Sequence, residues 1–123
     1  MCKSDRDRKR EVEMVDTLSV LESVSRMPIS SWAYDSDPAG IRHMGPMAQD
    51  FRAAFGLGDS DRSYYSVDAH GVALASIQAL HALVQEENRR ITKLERDNAE
   101  LRQELQRMGE LPHGAKCPSA SPR

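Results

Sequence analysis

Near the N-terminus a hydroxyl and an amine stand five residues apart, Ser4 and Lys9 in the run Ser4-Asp5-Arg6-Asp7-Arg8-Lys9. A serine attacks a carbonyl carbon once a neutral lysine removes its proton, and a lysine is neutral near pH 7 only when burial or adjacent cations lower its pKa. Arg6, Arg8 and Arg10 could supply that repulsion once the segment is docked. Spacing alone is a weak signal, because Ser and Lys five apart recur by chance in most proteins. The histidines add little. His43 sits in a strand-like run, where a lone histidine is more often structural, and His70, His81 and His113 are too scattered for a metal site. Neither HExxH nor a carboxylate cluster accompanies them, and Cys2 and Cys117 lie near opposite ends without zinc or disulfide spacing, so no metal and no other cofactor is expected.

The elements that would have to position such a pair can be traced along the chain. Residues 1–10 are polar almost throughout and read as an exposed arm. Leu18, Leu21, Val24 and Met27 repeat every three residues, with Asp16 or Thr17 as N-cap and Pro28 as stop. This predicts a short amphipathic helix that packs one face on the sheet after it. Residues 29–34 and 41–47 hold strand formers around the turn-rich run Asp35-Ser36-Asp37-Pro38-Ala39-Gly40, so a β-hairpin is expected, with Trp32, Tyr34, Met44 and Met47 in its packing. Ala48, Phe51 and Phe55 return to helical spacing and Gly56 is placed to end that helix. Residues 63–67 suggest one more short strand before Asp68, a plausible N-cap.

From residue 69 to about 108 nothing interrupts a helix, roughly 60 Å at 1.5 Å per residue, and a helix that long needs a partner. With Ile77 at heptad position a, the a sites are Ile77, Val84, Ile91, Asn98 and Leu105, and the d sites are Leu80, Glu87, Leu94, Leu101 and Met108. Eight of these ten are apolar. Arg90 at g faces Glu95 at e of a neighbouring helix, and Asp97 faces Arg102 likewise, which suits parallel strands. A single amphipathic helix packed on its own domain is the plain alternative, but residues 86–108 carry six basic and six acidic side chains around a narrow apolar stripe. Asn98 at an a site fixes register and by itself leans towards dimers; the β-branched residues at other a sites leave the number of strands open. The tail from 109 to 123, rich in Pro, Gly, Ser and Ala, reads as disordered.

The fold class is therefore α+β, with an arm over 1–10, a small helix and hairpin domain over 11–68, a coiled-coil helix over 69–108 and a tail over 109–123. Seventeen basic and nineteen acidic residues are mixed along most of the chain, which argues against a dedicated nucleic-acid or membrane surface. The basic run at residues 3–10 does not feed directly into the heptads as it would in a basic zipper, since Pro28, Pro38 and Pro46 intervene. No uninterrupted apolar run approaches the roughly 18 residues of a bilayer span, and no apolar segment follows the basic N-terminus as in a signal peptide. The expectation is a soluble protein made in the cytoplasm. At 5% aromatic residues and one Trp the core is thin, so association with further copies is a natural source of burial.

One resemblance sharpens these readings. The order Ser4-Asp5-Arg6 with Lys9, a helix ending at Met27-Pro28-Ile29, Trp32-Ala33-Tyr34, the block from Ile41-Arg42-His43-Met44-Gly45 to Gln49-Asp50-Phe51, then Val67-Asp68 and Gly71-Val72-Ala73 leading into heptads resembles the endosialidase-type intramolecular chaperone domain. That domain closes phage tailspikes and fibres and some bacterial surface proteins, and lies within the animal myelin regulatory factor. The resemblance implies a homotrimer that templates the folding of an upstream fibrous passenger in the same polyprotein and then releases itself. On this likeness Ser4 is the nucleophile and Lys9 the general base, cutting between Lys3 and Ser4, with His43 as a possible support and the a and d residues from Ile77 to Met108 holding the oligomer. It implies synthesis in a bacterial cytoplasm, with a phage virion fibre or a bacterial cell surface as the destination if a passenger is fused.

After its lysine the family usually has an acidic residue, a polar residue and an apolar one; here Arg10-Glu11-Val12 follow, and Arg8 replaces a smaller or apolar side chain. These differences favour an alternative reading, a non-catalytic trimerisation module that has lost processing. Three residues precede Ser4, so the expectation is a piece of a longer protein or a gene that has lost its fibre.

Overall fold

The computed structural model describes residues 3–110. Cys2, Cys117, His113 and nearly all of the tail expected to be disordered lie outside the described residues. The chain divides into two units, Met1–Val84 and Gln85–Arg123.

In the first unit a single 3₁₀ turn at Arg6–Arg8 leads into an irregular connector. Helix α1, Thr17–Arg26, starts where expected because the Asp16 side chain accepts the Ser19 amide at 3.3 Å, and Pro28 follows its last turn. The strands are shorter than the sequence suggests. β1, Ser30–Trp32, and β2, His43–Gly45, pair antiparallel with Trp32 opposite His43. The runs 29–34 and 41–47 are cut back by the turn between them. Both backbone polar groups of Tyr34 are taken by Asp37: its amide donates to the carboxylate at 2.6 Å and its carbonyl accepts the Asp37 amide at 3.0 Å. The Ile41 amide is spent on the Pro38 carbonyl at 3.2 Å, and Pro46 has no amide to extend the ladder. Arg42 ties the hairpin from the side, donating from Nε to Ser31 Oγ at 3.0 Å and from Nη2 to the Ser31 carbonyl at 2.8 Å.

Helix α2, Ala48–Phe55, ends at Gly56 in the left-handed region at φ 62°, where a side chain would be strained. The apolar face expected on α1 meets α2; the sheet it was expected to cover makes no packing contact with it among the described residues. The reason is the hairpin's brevity, since three-residue strands offer no continuous apolar face to a helix.

Helix α3, Ser66–Gly109, begins three residues before the expected start. The amides of Asp68 and Ala69 already donate to the Tyr65 carbonyl, so Asp68 lies in the first turn, where its charge suits the helix dipole, and is not the cap. The strand expected at 63–67 does not form. Tyr64 instead stacks on Phe51 at 4.7 Å, and Phe51 also meets Phe55 at 5.0 Å. Phe51, Val72 and Ala79 are the buried apolar residues among those described, with Phe51 only 2% exposed. Ser76 is buried beside them and satisfies its hydroxyl on the Val72 carbonyl at 2.8 Å. An open recess of about 410 Å³ bounded by Val15, Val20, Phe55, Leu57, Val67 and Val72 lies at the surface beside this core.

Tyr34, Met44 and Met47, expected inside, are exposed in the isolated chain, Met44 at 78%; Trp32 is half-buried. α3 is long and apolar enough, at a mean hydropathy of 1.3 over 18 residues, to meet the length and composition of a membrane span. Asp68, His70, Gln78 and His81 interrupt that stretch, and its apolar residues serve two faces. Val72 and Ala79 point inward, while Leu74, Ile77, Leu80 and Val84 stay exposed.

Candidate active site

Ser4 and Lys9 are brought together. In the sequence they are separated by a span of up to roughly 17 Å if extended, yet Lys9 Nζ donates to Ser4 Oγ at 2.6 Å. The 3₁₀ turn makes the difference. Arg8 donates its amide to the Asp5 carbonyl at 3.3 Å and Lys9 to the Arg6 carbonyl at 3.2 Å, so the chain doubles back over four residues. Asp5 is extended at φ −64° and ψ 128°, and its Oδ1 accepts the Asp7 amide at 3.0 Å. All residues of this turn are exposed.

The hydrogen-bond direction defines what the pair can do. As an ammonium, Lys9 donates to Ser4 Oγ and stabilises the hydroxyl without activating it. Once neutral, the same amine at the same distance can accept the serine proton, which is the first step of nucleophilic attack.

His43 is placed elsewhere, on β2. Its Nε2 lies 3.3 Å from Asp37 Oδ2, and its ring packs with Trp32 at 5.0 Å and Tyr34 at 5.3 Å. No hydrogen bond or ion pair joins it to Ser4 or Lys9 among the described residues. What it supports is the hairpin. Trp32 Nε1 in this cluster is buried without a hydrogen-bond partner. Among the described residues no group of three His, Cys, Asp or Glu side chains is arranged to hold a metal ion.

The heptad residues of α3 form an uncovered stripe in the isolated chain. Ile77 is 60% exposed, Leu101 60% and Leu105 68%, and Leu80, Val84, Ile91, Leu94, Asn98 and Met108 are exposed as well. Two of the charges assigned to neighbouring helices find partners within their own helix here: Arg90 lies 3.8 Å from Glu87, and Asp97 accepts from Lys93 at 2.7 Å. The hydrogen bond that Lys93 donates to Asp97, and then the Asp97 charge, raise the Lys93 pKa above the ordinary lysine value.

Sequence reasoning gave roles to Ser4 and Lys9, whereas Asp5 and Arg42 entered only as parts of the resembling runs and Asp37 only as a turn residue. For Asp5 a signal existed, since Asp two residues before an amide is a common capping arrangement. For Arg42 none did, because its partner Ser31 is eleven residues away.

Residues 4–56 match the family Peptidase_S74, described as chaperone of endosialidase. The match agrees with the resemblance carried by the Ser4 and Arg42-His43-Met44-Gly45 segments and ends at Gly56, before α3 begins. No curated protein matches the chain.

Proposed function

With residues 4–56 falling in the chaperone-of-endosialidase family, we propose that the chain is an intramolecular chaperone that assembles as a homotrimer, guides an upstream fibrous passenger, and frees itself by cutting between Lys3 and Ser4. The family match supports the chaperone role, and the observation that carries the cutting is the 2.6 Å contact from Lys9 Nζ to Ser4 Oγ inside the matched segment.

The reaction follows from these groups. Neutral Lys9 removes the Ser4 hydroxyl proton as Oγ attacks the Lys3 carbonyl carbon. The tetrahedral adduct collapses by breaking the bond to the Ser4 nitrogen, which leaves as an amine with the hydroxyl proton handed on by Lys9, and an ester joins Lys3 to Ser4 Oγ. Water then adds to the ester carbonyl, with the amine again as base, and leaves Lys3 as a carboxylate and Ser4 as a hydroxyl.

Assembly enters through the environment of the base. In the isolated chain both groups are exposed; docking the arm against neighbouring copies would desolvate the amine and favour its neutral form. Cutting would then follow assembly, and a passenger would be released only from a completed trimer. The apolar stripe from Ile77 to Met108 supports the assembly half of this reading. Release of a virion fibre or a bacterial surface protein is the setting this function fits.

A second reading, a trimerisation module without processing, is favoured by the Arg8 and Arg10-Glu11 departures, with Glu11 held at φ 54°. One experiment separates the two. A tag is fused ahead of Lys3 and the intact mass is followed. The proposal expects a cut between Lys3 and Ser4 that is lost in Ser4→Ala and Lys9→Ala. A whole unmutated fusion that remains trimeric would leave the second reading.

A further inference from the structure

We propose that Asp5 is the positioning residue of this site, holding Lys9 against Ser4 by capping the turn that joins them. The inference rests on the self-cleavage reading above. Three observations carry it. The turn is one 3₁₀ turn with every residue exposed, so no packing holds its shape. Its amides at Asp7, Arg8 and Lys9 bond to Asp5 Oδ1, the Asp5 carbonyl and the Arg6 carbonyl, so Asp5 supplies two of the three acceptors. And Lys9 Nζ reaches Ser4 Oγ only because this turn folds residues 5–9 back.

A carboxylate near the dyad has a second conceivable effect, which opposes the first. Its charge would favour the protonated lysine and so hold back the base. Capping needs only a side-chain oxygen on Cγ, which asparagine also offers; the electrostatic effect needs the charge. The two effects therefore part at Asp5→Asn.

The test uses the tagged full chain, with first-order cleavage rates measured across pH. Asp5→Ala is expected to slow cleavage about fivefold at every pH, the loss of a typical cap expressed as a rate. Asp5→Asn is expected to restore the rate to within about twofold, with the rise of rate with pH unmoved or shifted to lower pH. Circular dichroism and light scattering on both variants check that fold and assembly are intact. An Asp5→Ala fusion that cuts at the unmutated rate overturns the role of Asp5 and leaves the self-cleavage reading standing. So does an Asp5→Asn fusion as slow as Asp5→Ala. If the unmutated fusion stays whole, the cleavage reading falls and this inference with it.

Discussion

A lysine ammonium that donates to a serine oxygen cannot also take that serine's proton. Cleavage is therefore expected to quicken as pH rises and the Lys9 amine becomes neutral, and a rate that is flat between mildly acid and mildly alkaline pH would argue against Lys9 as base. The pairing of Ser4 with Lys9 was legible in the sequence only through the resemblance, because a five-residue interval says nothing about whether the chain turns back. Asp5 supplied the missing step, and its role depends on a backbone conformation that residue types leave open. Elsewhere one side chain dominates. Phe51, packed against Tyr64 and Phe55, is the most deeply buried large side chain among the described residues, and Phe51→Ala is expected to cost about 3 to 5 kcal/mol, seen as a lower midpoint in denaturant titration. Lys93 gives a smaller, signed effect. Because its folded pKa is raised by the Asp97 hydrogen bond and charge, the contribution is fully present below the ordinary lysine pKa and fades as pH rises through the raised value. Nitrogen-detected titration of Lys93 should show its transition fall back towards the ordinary value in Asp97→Asn.

Among the elements, the helices were the readable part. Threefold and fourfold spacing located α1 and α2, and Asp16 and Gly56 mark their ends in the structure as the capping rules require. The strands are shorter than their residue types suggest, and none forms at 63–67, where Tyr and Val favour a strand in isolation. Tyr64 gains more by stacking on Phe51, and the Tyr65 carbonyl starts α3 instead. The exposed stripe on α3 gives the element its test. Leu94→Asp or Leu101→Asp places a charge in the expected seam and should abolish assembly, read as loss of concentration dependence in the helix melt. Asn98→Ile should raise the melting temperature while relaxing register, since the polar a site gives up stability to specify pairing.

At the scale of the whole molecule, the first unit has a thin core and the longest helix shows its apolar residues to water. Phe51, Val72 and Ala79 are buried, whereas Leu74, Ile77, Leu80 and Val84 on the same unit are not. Among the described residues nothing covers those outward side chains, and three copies placed around a common axis would cover one another. The sequence made association readable through its heptads, but it left the number of strands open, because Asn98 and the β-branched a residues point different ways. The trimer is the family's implication, and the chaperone role that residues 4–56 support depends on it, since a template for a fibre must itself be assembled. The mass of the untagged chain by light scattering at micromolar concentration is the direct test. Three times 13.8 kDa is the expected result, and a particle of 13.8 kDa would contradict the account.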